Sequence, residues 1–200
     1  MRNAILLFCT ICLLACSKEK GYGPLQLKNG QIVELLVSDK YGSDQDQLLM
    51  LPRKDAAQAS LYNFIERKPG FIYKVRAKFV REEVPPQDGA EYYFEFQSII
   101  NQEKYMGNES FTIPLIVSYV PGGPSIQLNK INDKFFFRAD KIQLTYTTDE
   151  VKEQLEEIWQ NALETHAKST QPKWMQIKAT VKHDPEKFGE AYLVERIEFL

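Results

Sequence analysis

Two adjoining stretches decide the fold: Tyr73-Lys74-Val75-Arg76-Ala77-Lys78-Phe79 and, after the turn Pro85-Pro86-Gln87-Asp88-Gly89, Glu91-Tyr92-Tyr93-Phe94-Glu95-Phe96-Gln97. In the first, apolar residues alternate with basic ones, so one face is apolar and the other charged, which is the period of a half-buried strand. In the second, Tyr92, Phe94 and Phe96 alternate with Glu91, Glu95 and Gln97. A basic face beside an acidic face predicts antiparallel pairing, because opposite charges across strands are favourable. A solvated sheet surface is enough to account for these charges.

Upstream, the nearly continuous apolar run Ile32 to Val37 predicts a buried strand, Asp39 to Gln47 a turn-rich polar loop, and Leu48 to Leu51 a short strand. Asp55 to Arg67, with Ala56, Ala59, Leu61, Phe64 and Ile65, fits a short amphipathic helix stopped by Pro69-Gly70. Downstream, strands are expected at Phe111 to Val120, Ser125 to Ile131 and Phe135 to Tyr146, divided by Pro121-Gly122-Gly123-Pro124 and Asn132-Asp133. From about Asp149 to His166, Val151, Leu155, Ile158, Trp159, Ala162, Leu163 and His166 form one helical stripe, with Thr147 and Glu150 as a capping box. Two closing strands follow, Met175 to Val181 and Ala191 to Phe199.

The halves resemble each other. Tyr73-Lys74-Val75-Arg76-Ala77-Lys78 lies over Met175-Gln176-Ile177-Lys178-Ala179-Thr180, and Gly89-Ala90-Glu91-Tyr92 over Gly189-Glu190-Ala191-Tyr192. Strands, a helix, then a long hairpin is the order of an OB-like barrel; the first half lacks or shortens one early strand. The rival explanation is chance, since any two amphipathic hairpins share this alternation. The expected fold is mainly β with two helices (α+β), as two tandem small OB-like β-barrel modules at residues 31–106 and 107–200.

The N-terminus has the layout of a secretory signal: Arg2, an apolar run of eleven residues from Ala4 to Leu14, then Ala15-Cys16. Such a run rises roughly 16 Å as a helix, about half the hydrocarbon thickness, too short to span. Leu13-Leu14-Ala15-Cys16 resembles a bacterial lipobox, with bulky Leu14 a minor departure. Residues 1–15 are therefore expected to be removed as a signal peptide and Cys16 to be lipidated, holding the protein to a membrane through a tether at 16–30. Cys9 and Cys12 leave with the signal, so no disulfide is expected. Ser17 after Cys16, in place of the Asp that retains enteric lipoproteins at the inner membrane, points to the outer membrane. Lys18-Glu19 resembles the short charged export tag of surface lipoproteins in the Bacteroidetes group.

One further resemblance rests on Leu61-Tyr62-Asn63-Phe64-Ile65, Pro69-Gly70-Phe71-Ile72-Tyr73-Lys74-Val75, Val84 to Gly89 and Tyr92-Tyr93-Phe94. Over about residues 31–100 the chain resembles an uncharacterised domain of bacterial envelope lipoproteins, of the kind that accompanies META (heat-shock-type) domains. Members often carry paired cysteines around the loop at Asp39 to Leu48; here Lys40, Tyr41 and Gln47 stand there, so that disulfide does not carry over. The resemblance implies location and fold, and no activity.

The chemistry that the residues support is limited. A formal net charge of −2 without a basic stripe argues against nucleic acid as a partner. His166 sits near a helix C-terminus; His183-Asp184-Pro185 reads as a turn rather than part of a triad, since no nucleophile motif accompanies it. Asp39, Asp44 and Asp46 do not follow the EF-hand spacing, and Pro121-Gly122-Gly123-Pro124 lacks a phosphate loop's Lys. No catalytic, metal or cofactor site is expected. Aromatics are the surplus: Phe135, Phe136 and Phe137 on one strand, with Tyr92 and Tyr93, fill the core or else form a binding surface. The expected function is a non-catalytic, lipid-anchored envelope role in binding or scaffolding, at the outer membrane, with an envelope protein or glycan as partner. The alternative is a carbohydrate or small-ligand binding module that uses aromatics on a barrel face.

Overall fold

A computed structural model describes residues 21–23, 25–84, 89–119, 122–139 and 141–200; the expected signal peptide at 1–15 and Cys16 lie outside the described residues. The protein is mainly β, with a sheet curved into a half-barrel and, among the described residues, one helix. Strands β1 (Ile32–Val37), β2 (Leu48–Met50), β3 (Asp55–Ala56), β4 (Leu61–Tyr62), β5 (Phe71–Arg81) and β6 (Tyr92–Lys104) form a sheet in the order β3-β2-β1-β5-β6-β4. The alternation in the sequence sets its register. Val33, Leu35 and Val37 of β1 and Tyr73, Val75, Ala77 and Phe79 of β5 all point into one core, with Leu35 opposite Val75. On the outer face Lys74 meets Glu34 at 2.7 Å and Lys78 meets Glu95 at 3.8 Å, so charge and apolar pattern specify the same pairing. The β5–β6 register skips Gln97 and Ile100, which makes each an extra, bulged residue on β6.

The helix expected at Asp55 to Arg67 is not there. Residues 55–62 form two short strands joined by a bend at Gln58 and Ala59, with β3 antiparallel to β2 and β4 parallel to β6. Ala57, Ala59 and Leu61 pack toward the core while Gln58, Ser60 and Tyr62 face out, a period of two that the i, i+3 spacing of Ala56 and Ala59 obscured. The backbone bonds go to neighbouring strands: Ala57 N–H donates to the Leu48 carbonyl at 2.8 Å, and Ser60 C=O accepts from Phe94 N–H at 2.8 Å. The two edges of this sheet are thus the two ends of one segment. Asn63, at φ 65°, turns the chain out of β4, and Ile65, given to the helix's apolar face, is 76% exposed.

The second half contains β7 (Phe111–Pro114), β8 (Ile116–Tyr119), β9 (Gly123–Ile126), β10 (Leu128–Ile131), β11 (Lys134–Phe137), β12 (Ile142–Tyr146), helix α1 (Asp149–Lys168), β13 (Ile177–His183) and β14 (Ala191–Phe199). Six of these strands run β10-β11-β12-β14-β13-β7, and β8 pairs with β9. The three long strands expected here are each broken. At Leu115 the N–H donates to Ile177 C=O (2.9 Å) while the carbonyl accepts from Gln127 N–H (2.8 Å), so the chain turns from β13 toward β9. Between β11 and β12, Arg138 and Ala139 take φ of 53° and 51° and fold Phe135 to Tyr146 into a hairpin. The α1 N-cap is Thr148, not Thr147: its side chain accepts from Val151 N–H. Val151, Leu155 and Ile158 of the expected stripe are buried, whereas Leu163 is exposed.

The two halves share strand pairings. In each, a hairpin has its first strand antiparallel to an early strand and its second strand parallel to another: β1-β5-β6-β4 and β7-β13-β14-β12. Registers coincide as well. Val33 opposite Ala77 answers to Ile113 opposite Ala179, and Phe79 opposite Phe94 to Val181 opposite Val194. Arg81 opposite Tyr92 answers to His183 opposite Tyr192, which is the alignment of the two sequence halves. Where the second half inserts α1 between parallel strand and hairpin, the first has only the short stretch 63–70.

Candidate functional site at the seam between the sheets

The polar loop 38–47, between β1 and β2, lies over the ends of β7, β13 and β14. Tyr192 of β14 donates its hydroxyl to the Tyr41 carbonyl at 2.9 Å, and burial holds that phenol well above its ordinary pKa. Asp44 N–H donates to Thr112 C=O at 3.1 Å, while its carboxylate accepts from the Thr112 hydroxyl (3.1 Å) and lies 3.7 Å from Lys178 Nζ. Phe188 packs over Gly70 and Phe71 over Gly189; the two phenyl rings meet edge to face with centroids 5.4 Å apart.

At the centre His183 Nε2 is 2.9 Å from Asp39 Oδ2, the two side chains being 6% and 9% exposed. When Asp39 is a carboxylate it can only accept, and Nε2 is then the donor of this bond. Phe111, Tyr192, Tyr105 and Phe188 surround the imidazole, with centroids 5.2 to 5.9 Å away, and Nδ1 is buried without a partner among the described residues. The sequence reading of His183-Asp184-Pro185 as a turn holds for Asp184, which accepts from the Thr145 hydroxyl and from the Glu186 and Lys187 amides. It missed His183, whose partner is 144 positions away. The two side chains serve different elements, and no hydroxyl or thiol nucleophile bonds the imidazole among the described residues.

The three loop carboxylates diverge. Asp39 takes His183, Asp44 takes Thr112 and Lys178, and Asp46 accepts from Gly42 N–H and from both terminal nitrogens of Arg67. Among the described residues no group of three or more His, Cys, Asp or Glu is gathered for a metal ion. Nor is any described helix long and apolar enough to cross a membrane.

The aromatics weighed as core or as a binding surface are not assembled in one place. Phe135 (2% exposed) and Phe137 (1%) are core residues of the second half, and alternation leaves Phe136 half-buried on the other face. Tyr92 packs on Phe79 in the first half, and Tyr93, on the opposite face, meets Tyr62 edge to face at 5.2 Å. What the sequence did not mark is the rim of the seam. The guanidinium of Arg67 lies over the Tyr41 ring at 4.4 Å and that of Arg138 at 5.4 Å. They border an open cleft of about 630 Å³ between loop 38–47 and segment 57–62. A second cleft of about 470 Å³ adjoins it across Tyr41 and Arg138. Arg67 also donates to Ser38 C=O and is fixed, whereas Arg138 is exposed and has no ion pair among the described residues.

Comparison with family models, with curated proteins and with solved structures finds no match to this chain.

Proposed function

We propose that this chain is a lipid-anchored protein of the bacterial outer membrane, with a non-catalytic binding or scaffolding role and a body of two OB-like β-barrel modules joined at one seam. The observation that carries the reading is the use made of loop 38–47. Its carboxylates and Tyr41 hold the two halves together through Asp39–His183, Asp44–Lys178 and Tyr192–Tyr41, which favours a rigid two-module unit over a reactive centre. The modules are taken as residues 31–106 and 107–200. The OB-like assignment and a duplication are supported by the shared pairings and by the alignment of Arg81/Tyr92 with His183/Tyr192. Anchoring rests on Leu13-Leu14-Ala15-Cys16 and on the resemblance to envelope lipoprotein domains that accompany META domains.

The test is metabolic labelling of the full chain with a palmitate analogue in a bacterium, followed by separation of its membranes. Label and protein are expected in the outer-membrane fraction, and Cys16→Ala should lose both. Unlabelled wild-type chain would refute the anchor. A second reading, a carbohydrate or small-ligand binding module, is favoured by the cleft beside the seam, which combines a tyrosine, an exposed arginine and neutral amides in one concave surface.

A further inference from the structure

We propose that the cleft beside the seam binds an acidic saccharide and that Arg138 takes its carboxylate, an inference that rests on the ligand-binding reading above. Arg138 is the cation in this cleft whose charge is not already matched by a described carboxylate; Arg67 beside it is clamped on Asp46. Its position is built rather than incidental. Arg138 and Ala139 both hold left-handed backbone, a conformation that costs free energy in any residue with a Cβ and persists only where surroundings enforce it. The loop passes beneath the arginine at Gly42, where a Cβ would collide with Arg138 Cδ. That close passage lays the guanidinium over Tyr41 instead of leaving it extended into solvent.

The rest of the cleft fits sugar chemistry. Gln47, Gln58 and Tyr62 supply neutral donors and acceptors for hydroxyl groups, and the exposed Tyr62 ring offers apolar area for the C–H face of a pyranose. Both cations stand together at the Tyr41 end, so the ligand is acidic at one place and neutral elsewhere. A planar guanidinium binds a carboxylate through two parallel N–H···O bonds, which a neutral sugar does not offer.

The experiment is calorimetric titration of the full chain in detergent with trigalacturonate, with its trimethyl ester and with inorganic phosphate as competitor. Trigalacturonate is expected to bind, the ester at least tenfold more weakly, and Arg138→Gln to lower affinity for the acid at least tenfold with an unchanged urea midpoint. Equal binding of acid and ester would overturn the role of the carboxylate and leave the ligand-binding reading standing. Displacement by phosphate at equal concentration would make this a general anion site and overturn the saccharide. Absence of binding by acid and ester alike would overturn both the inference and the reading beneath it.

Discussion

Consider His183→Phe. The new ring fits the space bounded by Tyr105, Phe111, Phe188 and Tyr192, so little packing is lost, but Asp39 keeps a buried carboxylate whose hydrogen-bonding partner is gone. Leaving a buried charged acceptor without its hydrogen-bond partner costs about 3 kcal/mol. Asp39→Ala makes the opposite defect, an imidazole N–H with nothing to donate to, at about 1–3 kcal/mol. The double variant removes both polar groups at once. It is expected to be less destabilised than the two singles together, by a coupling of about 2 kcal/mol. Urea unfolding followed by the fluorescence of Trp159 and Trp174, both in the second half, and by far-UV circular dichroism, which reports both halves, gives the four stabilities. Singles that add to within about 0.5 kcal/mol would refute the pair as the clamp of the seam.

Other expectations concern neighbouring features. Gly70→Ala places a Cβ 2.7 Å from Phe188 Cζ on left-handed backbone (φ 78°), and should lower the urea midpoint more than Gly30→Ala, also at positive φ but with nothing within 4 Å. Thr148→Ala should cost about 1 kcal/mol of stability through the lost cap; a larger loss in Thr147→Ala would return the cap to the residue that the sequence suggested. Hydrogen bonds from Lys130 and Gln160 hold Glu156 below its ordinary 4.5, and those from Ser110 and Lys182 do the same for Glu195. The unfolded chain therefore binds these protons first, so their stabilisation is complete above about 4.5 and is lost as pH falls through the lower folded values. Glu156→Gln should flatten the acid limb of a stability–pH curve, and an unchanged limb would refute the assignment.

Strands whose two faces differ were legible in the sequence. Ile32 to Val37 and Ala191 to Phe199 begin and end where the apolar pattern places them, although the first, read as a buried run, buries only every second residue. The stretch at 55–67 misled because small alanines satisfy either period; the deciding information was that its amides pair with Leu48 and that its carbonyls accept from β6, which is non-local. The same limit hid the site. Asp39 and His183, like Tyr41 and Arg138, look like ordinary turn residues until the two halves are docked. Phe135 to Phe137 left core and surface both open, because three rings in a row cannot all face one way and parity alone does not say whether Phe136 or the pair Phe135 and Phe137 faces inward.

The bulges at Gln97 and Ile100 have a further effect. Beyond Phe94 and Glu95, where β4 ends its pairing, β6 continues to Lys104 as an exposed edge, and Gln97 to Gln102 is an uncharged stretch with two isoleucines. A straight edge of that composition is a template on which further chains add and polymerise into fibres. Two extra residues within six twist the edge and interrupt its ladder, so a neighbouring strand cannot run along it in one register. These two insertions therefore break the single register that edge-to-edge self-assembly would need.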